Sequence, residues 1–158
     1  MTDEKQQEYT RRISQANATE LVVILYEIAL EHAKAAEEAM AREDKGACTK
    51  ALNRVRACIN ELIGSLHYDY EPAGALLQLY VYCSKQLVSV GLHQDAEALQ
   101  RVTDILGRLH DAYDKIKGEN HQGPVMGNAQ SVYAGLTYGK GSLKEDVVGL
   151  SGNRGYLA

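Results

Sequence analysis

Four stretches of the chain place apolar residues at helical spacing. Leu21, Ile24, Leu25 and Ile28 lead into Ala29, Ala33, Ala36, Ala39 and Met40, which predicts a helix over about 18–41. Asn17 stands where a cap belongs, and Glu20 stands three residues on, where its carboxylate can reach back to the cap backbone. Cys48, Leu52, Val55, Ile59, Leu62 and Leu66 follow with 4-3-4-3-4 spacing, a heptad seam that predicts a second helix over 47–66. Leu76, Tyr80, Cys83, Leu87 and Val90 repeat the pattern and predict a third over 73–91, with Pro72 suited to its first turn and Gly91 near its end. Leu99, Val102, Leu106, Leu109, Tyr113 and Ile116 make the fourth, capped by Asp95 and stopped by Gly118. Helices of similar length joined by short connections favour antiparallel neighbours, so the predicted fold is all-α, an antiparallel up-down four-helix bundle.

The third stretch differs from the others. Beside its core stripe it carries a second apolar line, Leu77, Val81 and Val88, about a quarter-turn away, with Leu79 and Tyr82 on the opposite flank. Only Gln78, Lys85 and Ser89 form a polar ridge. A helix with that much apolar surface is either buried on all sides or keeps one flank for an apolar helix of another chain.

Either end of the bundle reads differently. Residues 1–17 are polar apart from Tyr9 and Ile13, which are spaced as one helical turn or as isolated anchors. Residues 118–158 hold nine of the chain's 14 glycines and no heptad, so they read as a Gly-rich tail. Ser142-Leu143-Lys144-Glu145 resembles a capping box, but one short turn of helix is marginal alone. Val132, Tyr133, Leu136 and Tyr138 form a small apolar cluster in the tail, able to dock on the bundle's spare flank as an internal placeholder. The division expected is therefore an N-terminal segment 1–17, a bundle 18–117 and a tail 118–158.

Composition changes this picture little. With 158 residues the chain can bury a core without staples, and a net charge of −4 without any basic run argues mildly against nucleic acid as a partner. Nothing resembles a secretion signal or a membrane span, and Cys48, Cys58 and Cys83 form no CxxC, as expected of reduced thiols in a cytoplasmic protein. All aromatics are tyrosines, 10 of them, each with a hydroxyl that needs a partner when buried.

Candidate chemistry fails on spacing. A di-metal carboxylate bundle needs Glu-x-x-His, yet Ala29, Gly64, Val90, Gly107 and Gly118 stand three before His32, His67, His93, His110 and His121. Gly139-Lys140-Gly141-Ser142 lacks the upstream glycine and strand of a phosphate loop. Asp104, Asp111 and Asp114 fit the solvated face of the fourth helix. No enzyme, cofactor or metal site is expected.

Several of these residues together resemble the FliS family of flagellar export chaperones. Tyr9, Asn17-Ala18-Thr19-Glu20-Leu21 and Leu25-Tyr26-Glu27 carry the resemblance at the start. It continues through Ile59-Asn60-Glu61-Leu62, Ser65-Leu66, Leu76, Leu79-Tyr80, Tyr82 and Leu87, and ends on Val102, Leu106 and Leu109. The match runs from Tyr9 to Ile116. It departs where Thr19-Glu20 replaces a frequent Ser-Pro, Val90-Gly91 an Ala-Asn, and Tyr113 a tryptophan. A monomer or weak homodimer is expected, and charge and hydropathy point away from nucleic-acid and membrane partners. The resemblance implies a cytoplasmic, non-catalytic protein. It further implies a clamp on the C-terminal segment of flagellin, held in apolar grooves and presented to the flagellar export gate. The groove residues expected are Tyr9, Ile13, Leu77, Leu79, Val81, Tyr82 and Val88, with Tyr9 and Ile13 as a removable lid. The alternative is a self-associating structural or regulatory bundle that uses the same flank.

Overall fold

A computed structural model describes residues 2–119 and 123; the expected tail cluster at 132–138 and the Ser142 capping box lie outside them. Among the described residues the protein is all helical. Its elements are α1 (Asp3–Gln15), α2 (Ala18–Ala41), α3 (Lys45–Gly64), α4 (Ala73–His93) and α5 (Ala96–Ile116), followed by a short 3-10 turn, Lys117–Glu119.

The caps explain most of the boundaries. Asn17 accepts a hydrogen bond from the Glu20 backbone N–H while the Glu20 carboxylate accepts one from the Asn17 backbone N–H, the two halves of a capping box that starts α2 where the sequence predicts. Asp44 caps α3 through the Ala47 N–H and so begins it at Lys45, two residues before the expected start. Asp95 does the same for α5 through Ala98. α4 runs past Gly91 and ends only where Gln94 takes a left-handed conformation, φ 52° and ψ 43°. α5 ends at Ile116, and a 3-10 turn rather than Gly118 alone tightens its last residues.

α1 is the unpredicted element. Asp3 and Glu4 in its first turn and Arg12 in its last complement the helix dipole, and Tyr9 and Ile13, four residues apart, supply its whole apolar stripe. Such a helix would be marginal alone. It is held because both residues are buried in the common core and two carboxylates of α2 receive its polar side chains. Glu27 accepts both Arg12 guanidinium nitrogens at 2.6 and 3.1 Å, and Glu31 accepts Lys5 Nζ at 2.9 Å and the Tyr9 hydroxyl at 3.2 Å.

α2 packs most extensively on α3 and then on α5, and α4 packs on α5 and α3. The alanines of α2 let the neighbours approach: Ala29, Ala33, Ala36 and Ala39 are all buried. The predicted stripes of α3 and α4 (Cys48, Leu52, Val55, Ile59, Leu62; Leu76, Tyr80, Cys83, Leu87, Val90) lie inside, but α3 stops at Gly64, so Leu66, the last residue of its expected seam, stands past the helix end and is only partly buried. At the centre the hydroxyls of Tyr26 and Tyr80 bond to each other, and the Tyr113 ring lies 5.9 Å from that of Tyr26. Each buried hydroxyl thus finds its partner in another tyrosine, and burial pushes both phenols up, Tyr80 to about 12. The three cysteines are free and buried, and burial pushes the Cys83 thiol up to about 11, so they behave as small apolar side chains.

Candidate functional site

α4 is filled on its core stripe and open on both sides of it. Leu79, Val81, Tyr82 and Val88 are between 36 and 48% exposed, Leu92 is 72% exposed, and Leu77 is half-buried. The two apolar lines are kept apart. Gly91 turns toward α3, since a Cβ there would stand 3.9 Å from Leu52 Cδ1. Gln86 turns toward α5, accepting a 2.9 Å hydrogen bond from Arg101 Nε. At about 100° per residue, Leu77, Val81, Val88 and Leu92 fall on the Gly91 side of the core stripe. Leu79 and Tyr82 fall on the Gln86 side. The first line therefore borders α3 and the second borders α5, with Gln78, Lys85 and Ser89 between them on the outer face.

Leu92 was not among the residues singled out in the sequence. Its signal was present, four residues after Val88 on the same line, but the expected helix end at Gly91 hid it. With it the line spans 16 residues, Leu77 to Leu92, roughly 22 Å of helix. That length suits the apolar face of a partner helix of about four turns, with anchors at i, i+4, i+11 and i+15.

Tyr9 and Ile13 lie elsewhere. Both are buried beneath α1 against α2 and belong to the core, so the structure does not bring them to the flanks of α4. Around them Arg12 also stands 5.6 Å over the Tyr9 ring, and His110 of α5 places Nε2 3.5 Å from Glu27, so α1 is tied to a point where α2 and α5 meet. Burial and the carboxylates of Glu31 and Glu27 push the Tyr9 phenol up, which keeps it a neutral donor.

A separate apolar cleft of about 470 Å³ opens where α2 and α4 begin and α3 and α5 end. Leu21, Leu66, Leu76 and the rings of Tyr80 and Tyr113 line it, and Tyr70 and Ile116 stand exposed at its mouth. Sequence periodicity gives no sign of this cleft, because it is made where the ends of four helices meet.

No group of three or more His, Cys, Asp or Glu side chains able to hold a metal occurs among the described residues, and no helix among them is long and apolar enough to cross a membrane. The arrangement offers surface for binding. The model of one protein family, described as Flagellar protein FliS, matches residues 1–120. No curated protein matches the chain.

Proposed function

This chain belongs to the flagellar protein FliS family, and on that premise we propose that it is a cytoplasmic export chaperone for flagellin. In this reading it holds the C-terminal segment of flagellin as apolar helices, prevents premature polymerisation and delivers its client to the flagellar export gate without catalysis. The scaffold is an antiparallel four-helix bundle, α2–α5, which is supported by the facing of Gly91 late in α4 to Leu52 early in α3 and of Tyr26 early in α2 to Tyr113 late in α5.

The observation that carries the proposal is the open α4 flank. A monomer that buries Leu76, Tyr80, Cys83, Leu87 and Val90 so completely leaves Val81, Val88 and Leu92 to solvent on the same helix. Burying such a line under a partner helix gains on the order of 25 cal/mol for each Å² removed from water. Leu77, Val81 and Val88 are assigned to one client helix, Leu79 and Tyr82 to the second flank. Tyr9 and Ile13 take part as a cover: α1 lies over α2, and its release would uncover further apolar surface of α2. The Lys5–Glu31 pair, with Lys5 more than half-exposed, is the kind of contact that yields at modest cost, and the two-pronged Arg12–Glu27 pair is the firmer tie.

The test is co-purification of the chain with the flagellin C-terminal segment, for the unaltered protein and for Val81→Asp with Val88→Asp. Both positions are exposed, so the variant should melt as the unaltered chain does and lose the client by at least tenfold. Retained binding at an unchanged melting temperature refutes the flank as the site. Loss of dimer in light scattering, with no flagellin bound by either protein, would favour self-association instead.

A further inference from the structure

The apolar cleft where α2 and α4 begin and α3 and α5 end has a charge pattern that separates it from two other clefts of the bundle. None of its lining residues is Asp, Glu, Lys or Arg. Of two others, one carries Arg12, Glu20 and Lys117 and the other Glu37. Such an uncharged site prefers an uncharged occupant, because a charge brought into it loses its water without gaining a partner.

The chain itself supplies one. From Gln122 to Gly139 there is no Asp, Glu, Lys or Arg, and Val132, Tyr133, Leu136 and Tyr138 fall within seven residues of that run. The described part of α5 and its 3-10 turn ends at Glu119, one turn past Ile116 at the cleft mouth. Twelve residues lie between Glu119 and Val132, a reach of up to about 45 Å when extended, which is far more than a return to an adjacent cleft needs. The family match stops at residue 120, so this run is an addition to the family's common part.

We propose that residues 132–138 of this chain seat in the Tyr80–Tyr113–Ile116 cleft as an internal occupant, competing with any apolar ligand for it. The proposal is independent of what the exposed flanks of α4 bind, since α4 lends the cleft only Leu76 and Tyr80 of its core stripe. A short tether gives an effective concentration on the order of 1 mM. A segment with an intrinsic Kd of about 0.1 mM would then fill the cleft about nine-tenths of the time and weaken a competitor roughly tenfold. Tyr133 fits a site whose floor is already built of tyrosines, where its ring finds tilted aromatic neighbours and its hydroxyl can stay at the mouth.

The experiment uses the full chain. A nitroxide is attached at Ser131→Cys, where the three native cysteines, all buried, do not compete for the label. Amide signals of Gly64, Ser65, Tyr70 and Ile116 should broaden selectively, while those of Val88 and Leu92 should not. Adding Tyr133→Asp and Leu136→Asp should abolish the broadening with the melting temperature unchanged. A peptide copying residues 128–142 should then shift the same cleft amides in the Asp variant about tenfold more tightly than in the unaltered chain. Broadening that is absent, spread over the surface or centred on Val88 and Leu92 overturns the proposal, as does equal peptide affinity for both chains. A flagellin segment that binds neither chain would count against the chaperone reading and leave this outcome readable.

Discussion

α4 and α5 are each 21 residues long and pack against each other, yet they relate to solvent in opposite ways. α5 hides Leu99, Val102 and Leu106 and shows water Gln100, Asp104, Arg108 and Asp111, as a surface helix of a self-sufficient bundle does. α4 hides an equally complete stripe and then adds Leu79, Val81, Tyr82, Val88 and Leu92, none of which its own fold seals. Core filling therefore explains one apolar stripe on each helix. The surplus on α4 has no folding task, and that surplus marks the candidate site.

The contrast breaks most visibly at neighbouring residues of α4. Leu87→Ala should cost about 2–5 kcal/mol in urea unfolding, because Leu87 is fully buried and leaves a cavity. Val88→Ala, one residue on, should stay within about 0.5 kcal/mol. If the two cost the same, α4 has no open flank.

Acid probes the interior without touching that flank. His32 is buried with its Nε2 unpartnered, and burial with the nearby Arg54 lowers its pKa from 6.5 to about 4. The unfolded chain therefore binds this proton at higher pH than the folded one. The stability tied to neutral His32 is present in full above pH 6.5 and is lost progressively as pH falls from 6.5 to about 4, a loss on the order of 3 kcal/mol. Melting curves of the unaltered chain and of His32→Leu should diverge over that window, and client binding should fail only as the fold does.

The tyrosine pair beneath both helices offers a smaller effect. Tyr26→Phe should cost about 1–3 kcal/mol by leaving the Tyr80 hydroxyl buried and alone, and adding Tyr80→Phe should recover part of it. A double variant as costly as the sum of the two singles would show that the hydroxyls do not act together. Smallest of all, Tyr82→Ser on the α5-side flank should leave stability within about 0.5 kcal/mol and weaken the flagellin segment by about twofold to fivefold. A loss as large as that of the Val81 and Val88 variant would make the two flanks equal and move the site's centre to α5.

How much of this could be read from the sequence follows from which interactions are local. The Asn17–Glu20 box sets the start of α2 through residues three apart, and the heptads of α3 and α4 name their buried faces correctly. The surplus apolar line on α4 was visible for the same reason, since a helical period assigns every residue a face. α1 was not visible as a helix, because its stability comes from Glu27 and Glu31, 15 and 22 to 26 residues away in the chain. Tyr9 and Ile13 read as one helical turn or as isolated anchors, and only folding decides that they point into α2's side of the core. Leu92 escapes the pattern because the helix end is set by the backbone of Gln94, and the cleft at Ile116 depends on four helix ends meeting.

The central claim is that the α4 line beside α3 receives a flagellin helix. Titrating the isotopically labelled chain with the flagellin C-terminal segment and following backbone amides tests it most directly. The account predicts shifts concentrated at Leu77, Val81, Val88 and Leu92, with Asp104, Arg108 and Asp111 on α5 unmoved. Shifts confined to α5's polar face, or none on α4 at saturating segment, would contradict it.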